Sequence, residues 1–164
     1  MRRTGFLVAA MLTALLMVSG VALAKEILGT PNKDRITGTS RGDVVSARGG
    51  DDTVVGRGGN DELYGQQNSD SISGSADDDE VYGGSGNDEL RGGKGQDGVY
   101  GGDGTDNLTG GDGSDELYGG NNNDTITSVG GGKDNVSCGF GTDDRALVGT
   151  EDGVSGDCER ITKR

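Results

Sequence analysis

Aspartate recurs in this chain in strict steps of nine, at Asp34, Asp43, Asp52, Asp61, Asp70, Asp79, Asp88, Asp97, Asp106, Asp115 and Asp124. Two residues after each stands an aliphatic side chain: Ile36, Val45, Val54, Leu63, Ile72, Val81, Leu90, Val99, Leu108, Leu117 and Ile126. Five residues before each stands glycine, Ala47 being the one exception. A lone aspartate in a turn is ordinary; eleven in one register are a structural repeat, and the period governs every local reading. The residue two before each aspartate is glycine six times, asparagine at 32, 68 and 122, Asp77 once and Arg41 once. Glycine, asparagine and aspartate tolerate positive φ, so this slot predicts a left-handed bend, which Arg41 suits poorly.

Composition then narrows the function. Hydrophobic residues make up 29% of the 164, against roughly 45–50% in an ordinary globular domain, so a conventional packed core is not expected. No histidine is present, which excludes a Ser-His-Asp triad, a Cys-His pair and an HExxH zinc site. Gly38-Thr39-Ser40-Arg41-Gly42 spells a nucleophile elbow without a base. Gly93-Lys94-Gly95-Gln96-Asp97-Gly98 spells a dinucleotide fingerprint without the strand and long helix it needs. A net charge of −13 argues against nucleic acid and anionic membranes and favours cations.

The unit reads Gly-Gly-x-Gly-x-Asp-x-aliphatic-x. It is complete at Gly83-Gly84-Ser85-Gly86-Asn87-Asp88, Gly92-Gly93-Lys94-Gly95-Gln96-Asp97, Gly101-Gly102-Asp103-Gly104-Thr105-Asp106 and Gly110-Gly111-Asp112-Gly113-Ser114-Asp115. In this the chain resembles the RTX, or haemolysin-type, calcium-binding repeat family over about residues 29–137. The resemblance implies an all-β fold: a right-handed parallel β-roll, or β-solenoid, in which each nonapeptide is half a coil. Six glycine-rich residues would turn the chain and three would form a strand with its middle side chain inward. Residues 18 apart would then stack, one edge carrying Asp34, 52, 70, 88, 106 and 124 and the other Asp43, 61, 79, 97 and 115.

Neighbouring carboxylates on an edge repel, and the aliphatic spine is thin. Ca²⁺, which accepts six to eight oxygens, answers both problems better than strictly octahedral Mg²⁺. The expected metal residues are Asp79, Asp88, Asp97, Asp106, Asp115 and Asp124, with the turn glycines Gly83, Gly84, Gly86, Gly92, Gly93, Gly95, Gly101, Gly102, Gly104, Gly110, Gly111 and Gly113. Asp43, Asp52, Asp61 and Asp70 are weaker candidates, because Gln66-Gln67-Asn68 and Ser75-Ala76-Asp77 have lost motif glycines and the earliest turns carry Pro31 and Arg41. Adjacent members allow at most nine sites. The metal-free form is expected to be largely disordered.

The four tyrosines, Tyr64, Tyr82, Tyr100 and Tyr118, are 18 apart and each follows an inward aliphatic residue. They predict a stacked column on the outside of one sheet. Cross-strand stabilisation accounts for such a column, and the sharper reading is a binding face for polysaccharide or for a second β-roll.

The ends differ from the middle. Arg2, Arg3, an apolar run from Phe6 to Val18 and Ala22-Leu23-Ala24 describe a secretory signal peptide covering 1–24. Its removal leaves a charge of −15 and no membrane span. After Asp124 the period slips: Asp134 and Val136 come ten later, and Cys138-Gly139-Phe140-Gly141-Thr142-Asp143 imitates one more turn. Asp157-Cys158-Glu159 looks like the terminus of small exported bacterial RTX-repeat proteins. In an exported chain Cys138 and Cys158 read as a disulfide closing a cap. The expected organisation is therefore a leader, 1–24, a calcium-binding roll, 25–137, and a cap, 138–164. The function expected is a secreted, extracellular, non-catalytic calcium-binding protein, structural or adhesive in role. The alternatives are an accessory module left from an RTX hydrolase-type architecture and a disordered acidic cation buffer.

Overall fold

The computed structural model describes residues 25–164; the expected signal peptide lies outside the described residues. Sixteen strands follow one another without a helix among those residues. The opening coils hold β1 (Lys25–Leu28), β2 (Arg35–Thr37), β3 (Asp43–Gly49) and β4 (Thr53–Val55). The middle holds β5 (Glu62–Gln67), β6 (Ser71–Ala76), β7 (Glu80–Ser85), β8 (Glu89–Lys94), β9 (Gly98–Asp103), β10 (Asn107–Asp112), β11 (Glu116–Asn121) and β12 (Thr125–Ser128). The end holds β13 (Asn135–Phe140), β14 (Arg145–Val148), β15 (Gly153–Val154) and β16 (Arg160–Lys163).

Odd strands form one eight-stranded sheet and even strands a second, each strand pairing with the next but one. All pairs are parallel, and through the repeats their register is 18: Leu63 faces Val81, Val81 faces Val99, and Val99 faces Leu117. This is the parallel β-solenoid expected, of about eight coils.

The division of each nonapeptide is the reverse of the expectation. In the intact repeats six residues are strand and three are turn, as in β8 with 95–97 and β9 with 104–106. The glycine pair stays in the sheet, where Gly93 pairs with Gly111 and Gly84 with Gly102. An extended chain alternates its faces, so the first glycine of the pair points inward beside the aliphatic residue. In the intact repeats the absence of a side chain there leaves room for the aspartate that follows.

Leu63, Ile72, Val81, Leu90, Val99, Leu108, Leu117 and Ile126 are buried to within 1% and form the spine between the sheets. The bend two residues before each aspartate is left-handed at Gly50, Gly59, Asn68, Asp77, Gly86, Gly95, Gly104, Gly113 and Asn122. The second glycine of the pair is left-handed as well, for example φ +130 at Gly93. In the degenerate coils Arg48, Arg57, Gln66 and Ser75 hold that slot with φ between 79 and 93, each at a cost of about 1–2 kcal/mol relative to glycine.

Residues 138–164 are coiled rather than folded over the end. β14 pairs with β12 and β16 with β14, while β15 pairs with β13, so both sheets run on to the C-terminus. Cys138 and Cys158 are disulfide-bonded within this stretch.

Candidate metal centre

The turn returns each aspartate toward the space above the inward glycine, and Asp52 to Asp124 are all at most 3% exposed. One carboxylate oxygen has a fixed partner. The amide of Asp34 donates to Asp52 Oδ1, Asp52 to Asp70, Asp70 to Asp88, Asp88 to Asp106 and Asp106 to Asp124, at 2.7–2.9 Å. On the other edge the amides of Asp43, Asp61, Asp79 and Asp97 donate in the same way to Asp61, Asp79, Asp97 and Asp115, at 2.7–3.0 Å. The two edges expected from the period of 18 are therefore both present.

Both ladders continue past the repeats. Asp115 donates to Asp134 Oδ1 at 2.9 Å and Asp134 to Asp152 at 3.1 Å. Asp124 donates to Asp144 Oδ1 at 2.8 Å, and Asp144 to Glu159 Oε2 at 2.9 Å. The turn imitated by 138–143 thus places Asp144, not Asp143, inside. Asp143 lies outside, paired with Arg145 at 3.2 Å and Arg160 at 2.7 Å. Asp144 and Asp152 escape a reading by nines because the steps after Asp124 are ten, ten and eight. Gly139 and Gly141 ahead of a doubled acid are the available signal.

The second carboxylate oxygens are different. Oδ2 of Asp52, Asp61, Asp70, Asp79, Asp88, Asp97, Asp106, Asp115, Asp124, Asp134 and Asp144 is buried with no hydrogen-bond partner. A buried ionised oxygen without a partner is among the most costly arrangements a protein can hold. Burial, opposed by the amide bond and aided by neighbouring aspartates, pushes Asp70, Asp79 and Asp124 up to about 7. Burial likewise raises Asp97, Asp106 and Asp134 to about 6. Asp157 is the contrast: burial raises it, but bonds from Ser155, Ser137 and the amides of Gly139 and Cys138 prevail and hold it at about 2.

At three of the four ladder ends the protein supplies the missing donor. Asp34 Oδ2 receives the Thr30 amide at 2.6 Å and hydroxyl at 2.9 Å, and Asp43 Oδ2 the Thr39 amide at 2.6 Å. Asp152 Oδ2 receives the Gly149 amide at 2.6 Å and the Ser128 hydroxyl at 3.1 Å. Of the weaker candidates, Asp52, Asp61 and Asp70 share the unpartnered oxygen of the intact repeats and Asp43 does not.

From Asp61 to Asp124, and again at Asp144, the orphan oxygen faces a cradle that a Cβ on a glycine would fill. A methyl on Gly92, Gly101 or Gly119 would lie 2.5 Å from Oδ2 of Asp97, Asp106 or Asp124. One on Gly83 would press both on Asp88 Oδ2 and, at 2.7 Å, on the carbonyl oxygen of Gly101. The space is thus bordered by carboxylate and carbonyl oxygens. No group of three His, Cys, Asp or Glu side chains suited to a metal occurs among the described residues; a cation held here would draw on carboxylates of successive coils and on the bordering carbonyls. That donor set is hard and flexible, and it fits Ca²⁺. The glycines Gly84, Gly86, Gly93, Gly95, Gly102, Gly104, Gly111 and Gly113 all have positive φ and stack coil upon coil; a Cβ on Gly111 would collide with the carbonyl of Gly93.

The tyrosine column is present on the odd sheet. Tyr64, Tyr82 and Tyr100 stack with centroids 4.9 Å apart and planes within 11°. Tyr118 is in register with Tyr100. The Tyr64 hydroxyl donates to Glu62 and that of Tyr82 to Glu80 at 3.0 Å. The bond to Glu62 pushes Tyr64 up to about 12; burial first, then the bond to Glu80, does the same to Tyr82.

Comparison with known proteins returns one family. The model for the RTX calcium-binding nonapeptide repeat (4 copies) matches residues 28–63, 64–99 and 100–132. No curated protein sequence matches the chain significantly.

Proposed function

The chain belongs to the RTX calcium-binding nonapeptide-repeat family, and from that premise we propose that it is an exported, non-catalytic module that winds up on binding several calcium ions. Its fold is a repeat-only calcium-binding β-roll. The observation that carries the reading is the set of eleven buried, unpartnered aspartate oxygens on two edges. Each edge alternates a satisfied oxygen with an orphan one, and a divalent cation between successive coils would neutralise two orphans at once. Asp52, Asp70, Asp88, Asp106 and Asp124 on one edge, and Asp61, Asp79, Asp97 and Asp115 on the other, would hold the ions with the turn carbonyls. Bound calcium supplies the charge and the coil-to-coil ties that the thin spine lacks, so binding is folding free energy.

A structural or adhesive role at a surface fits an elongated stack of about eight parallel coils. The tyrosine column is the candidate contact. Tyr64, Tyr82 and Tyr100 cover one another's faces, so they offer edges and hydroxyls rather than open rings; this favours a second roll over face-stacking polysaccharide. The acidic-buffer reading is disfavoured by the unbroken buried spine.

The test is circular dichroism with chelator and then millimolar Ca²⁺, joined to calorimetry. Gain of β-structure with several cooperative sites is expected. The same β spectrum in both states, or weak binding that never saturates, would refute it. For the face, Tyr82→Thr with Tyr100→Thr should abolish self-association measured by sedimentation while leaving calcium affinity intact.

A further inference from the structure

We propose that the calcium ladder continues beyond the glycine repeats into the disulfide-closed end, with Asp134 and Asp144 as two further metal ligands. This rests on the calcium reading above and carries it to residues outside the matched stretch of 28–132.

Asp134 and Asp144 are both 0% exposed. Each accepts an amide on one oxygen, from Asp115 and Asp124 respectively, and each leaves the other oxygen buried without a partner. They reproduce the state of the repeat aspartates from Asp52 to Asp124. The true ladder ends do not: Asp34, Asp43 and Asp152 have their second oxygens satisfied by Thr30, Thr39, and Gly149 with Ser128. At these three ends the chain supplies its own donor; on the other edge the ladder passes from Asp144 to Glu159 and Asp144 Oδ2 has none, while Asp134 Oδ2 is unpartnered although the Ser128 hydroxyl that bonds Asp152 also acts on the Asp134 carboxyl.

At Asp144 the oxygen cradle is present as well. A Cβ on Gly141 would lie 2.5 Å from Asp144 Oδ2 and 2.7 Å from the Asn122 carbonyl oxygen. A Cβ on Gly119 would meet Asp124 Oδ2 at 2.5 Å and also the carbonyl of Cys138. Between the coils of Asp124 and Asp144 there are thus two carboxylates and two carbonyls, assembled without the Gly-Gly-x-Gly-x-Asp spelling. Nearby positive charge is directed elsewhere, since Arg145 and Arg160 both bind the exterior Asp143. The strand that carries the Cys138 carbonyl is fixed by the bridge to Cys158 and by Asp157, which accepts the amides of Cys138 and Gly139 at 3.3 and 3.1 Å.

The window of unpartnered aspartates therefore runs from Asp52 to Asp144 instead of Asp34 to Asp124. It has moved one coil toward the C-terminus.

Calcium ions per chain, counted by native mass spectrometry on the oxidised, calcium-saturated protein, decide the matter. Asp144→Asn and Asp134→Asn keep an acceptor for the ladder amide and remove only the charge. Each should bind one ion fewer than wild type with an unchanged β spectrum in calcium, while Asp143→Asn should bind the full number. Full occupancy in Asp144→Asn and Asp134→Asn would overturn the proposal, and so would loss of the β spectrum along with the ions, which would make the two acids structural. A wild-type chain that binds no calcium would overturn the family-based reading first, and is thereby distinguishable from failure of this site alone.

Discussion

If calcium resolves the burial of carboxylates, protons should resolve it too, and acid should wind the metal-free chain. Asp70, Asp79 and Asp124 are raised to about 7, and Asp97, Asp106 and Asp134 to about 6, chiefly by burial. An unfolded chain ionises the same groups at 3.8. The coiled state therefore holds more protons between these values. Its stability from them is fully present below pH 3.8 and is lost as pH rises through 6 to 7. Moving from pH 8 to pH 5.5 favours the coil by about 2 kcal/mol for each group at 7 and about 1 kcal/mol for each at 6. Neighbours on an edge are coupled, so these contributions do not simply add, but several kcal/mol is of the order of a small domain's whole stability.

The assay is far-ultraviolet circular dichroism of residues 25–164 in buffer freed of calcium by a chelating resin, from pH 8 to pH 5.5. That range stays above the pI of about 4.2, and the Tyr82→Thr, Tyr100→Thr chain run in parallel separates winding from self-association. The β signal should rise with a midpoint between pH 6 and 7, and calcium at pH 8 should produce the same spectrum. Apparent calcium affinity should fall with acid, because proton and metal compete for one oxygen. A metal-free spectrum that is flat across the range, or that loses β signal on acidification, would refute the reasoning.

Other consequences are more local. Leu108→Ala, at a fully buried spine position, should cost about 2–5 kcal/mol in calcium, read by denaturant unfolding. Gly101→Ala, whose methyl would sit 2.5 Å from Asp106 Oδ2, should lower the calorimetric calcium stoichiometry even where the β signal survives. Gln66→Gly should raise stability by about 1 kcal/mol by relieving φ +79, seen as a higher melting temperature at fixed calcium. Reduction of Cys138–Cys158 should weaken the last-filled calcium site before the others, seen as a lost step in a chelator competition titration.

Much of this was legible because period and face are coupled. With eleven aspartates in step and an aliphatic residue two places on, the inward spine follows from strand alternation alone, and so do the two edges 18 residues apart. The partition of the nonapeptide was not legible. Glycine reads as turn, yet Gly92-Gly93 is strand, because the inward glycine is there to admit the Asp97 carboxylate and the outward one to take a left-handed φ within the sheet. Nor does spacing tell which aspartates need a metal. Asp43 and Asp61 occupy the same register position, and they are separated by Thr39, whose amide reaches Asp43 Oδ2, a contact that exists only once the loop has closed.

That contact shows how the ladder is terminated. A run of stacked like charges has no natural end, since each added coil brings one more carboxylate into the interior. The N-terminal coils end it with loop donors from Thr30 and Thr39, and one far edge ends with Ser128 and Gly149 at Asp152 while the other runs on to Glu159. Between them the protein leaves the same atom bare eleven times over. Eight parallel coils with a spine one residue wide would not tolerate that arrangement through packing alone. The bare oxygens are the part of the interior that something outside the chain must complete, and on the proposed reading calcium would complete it.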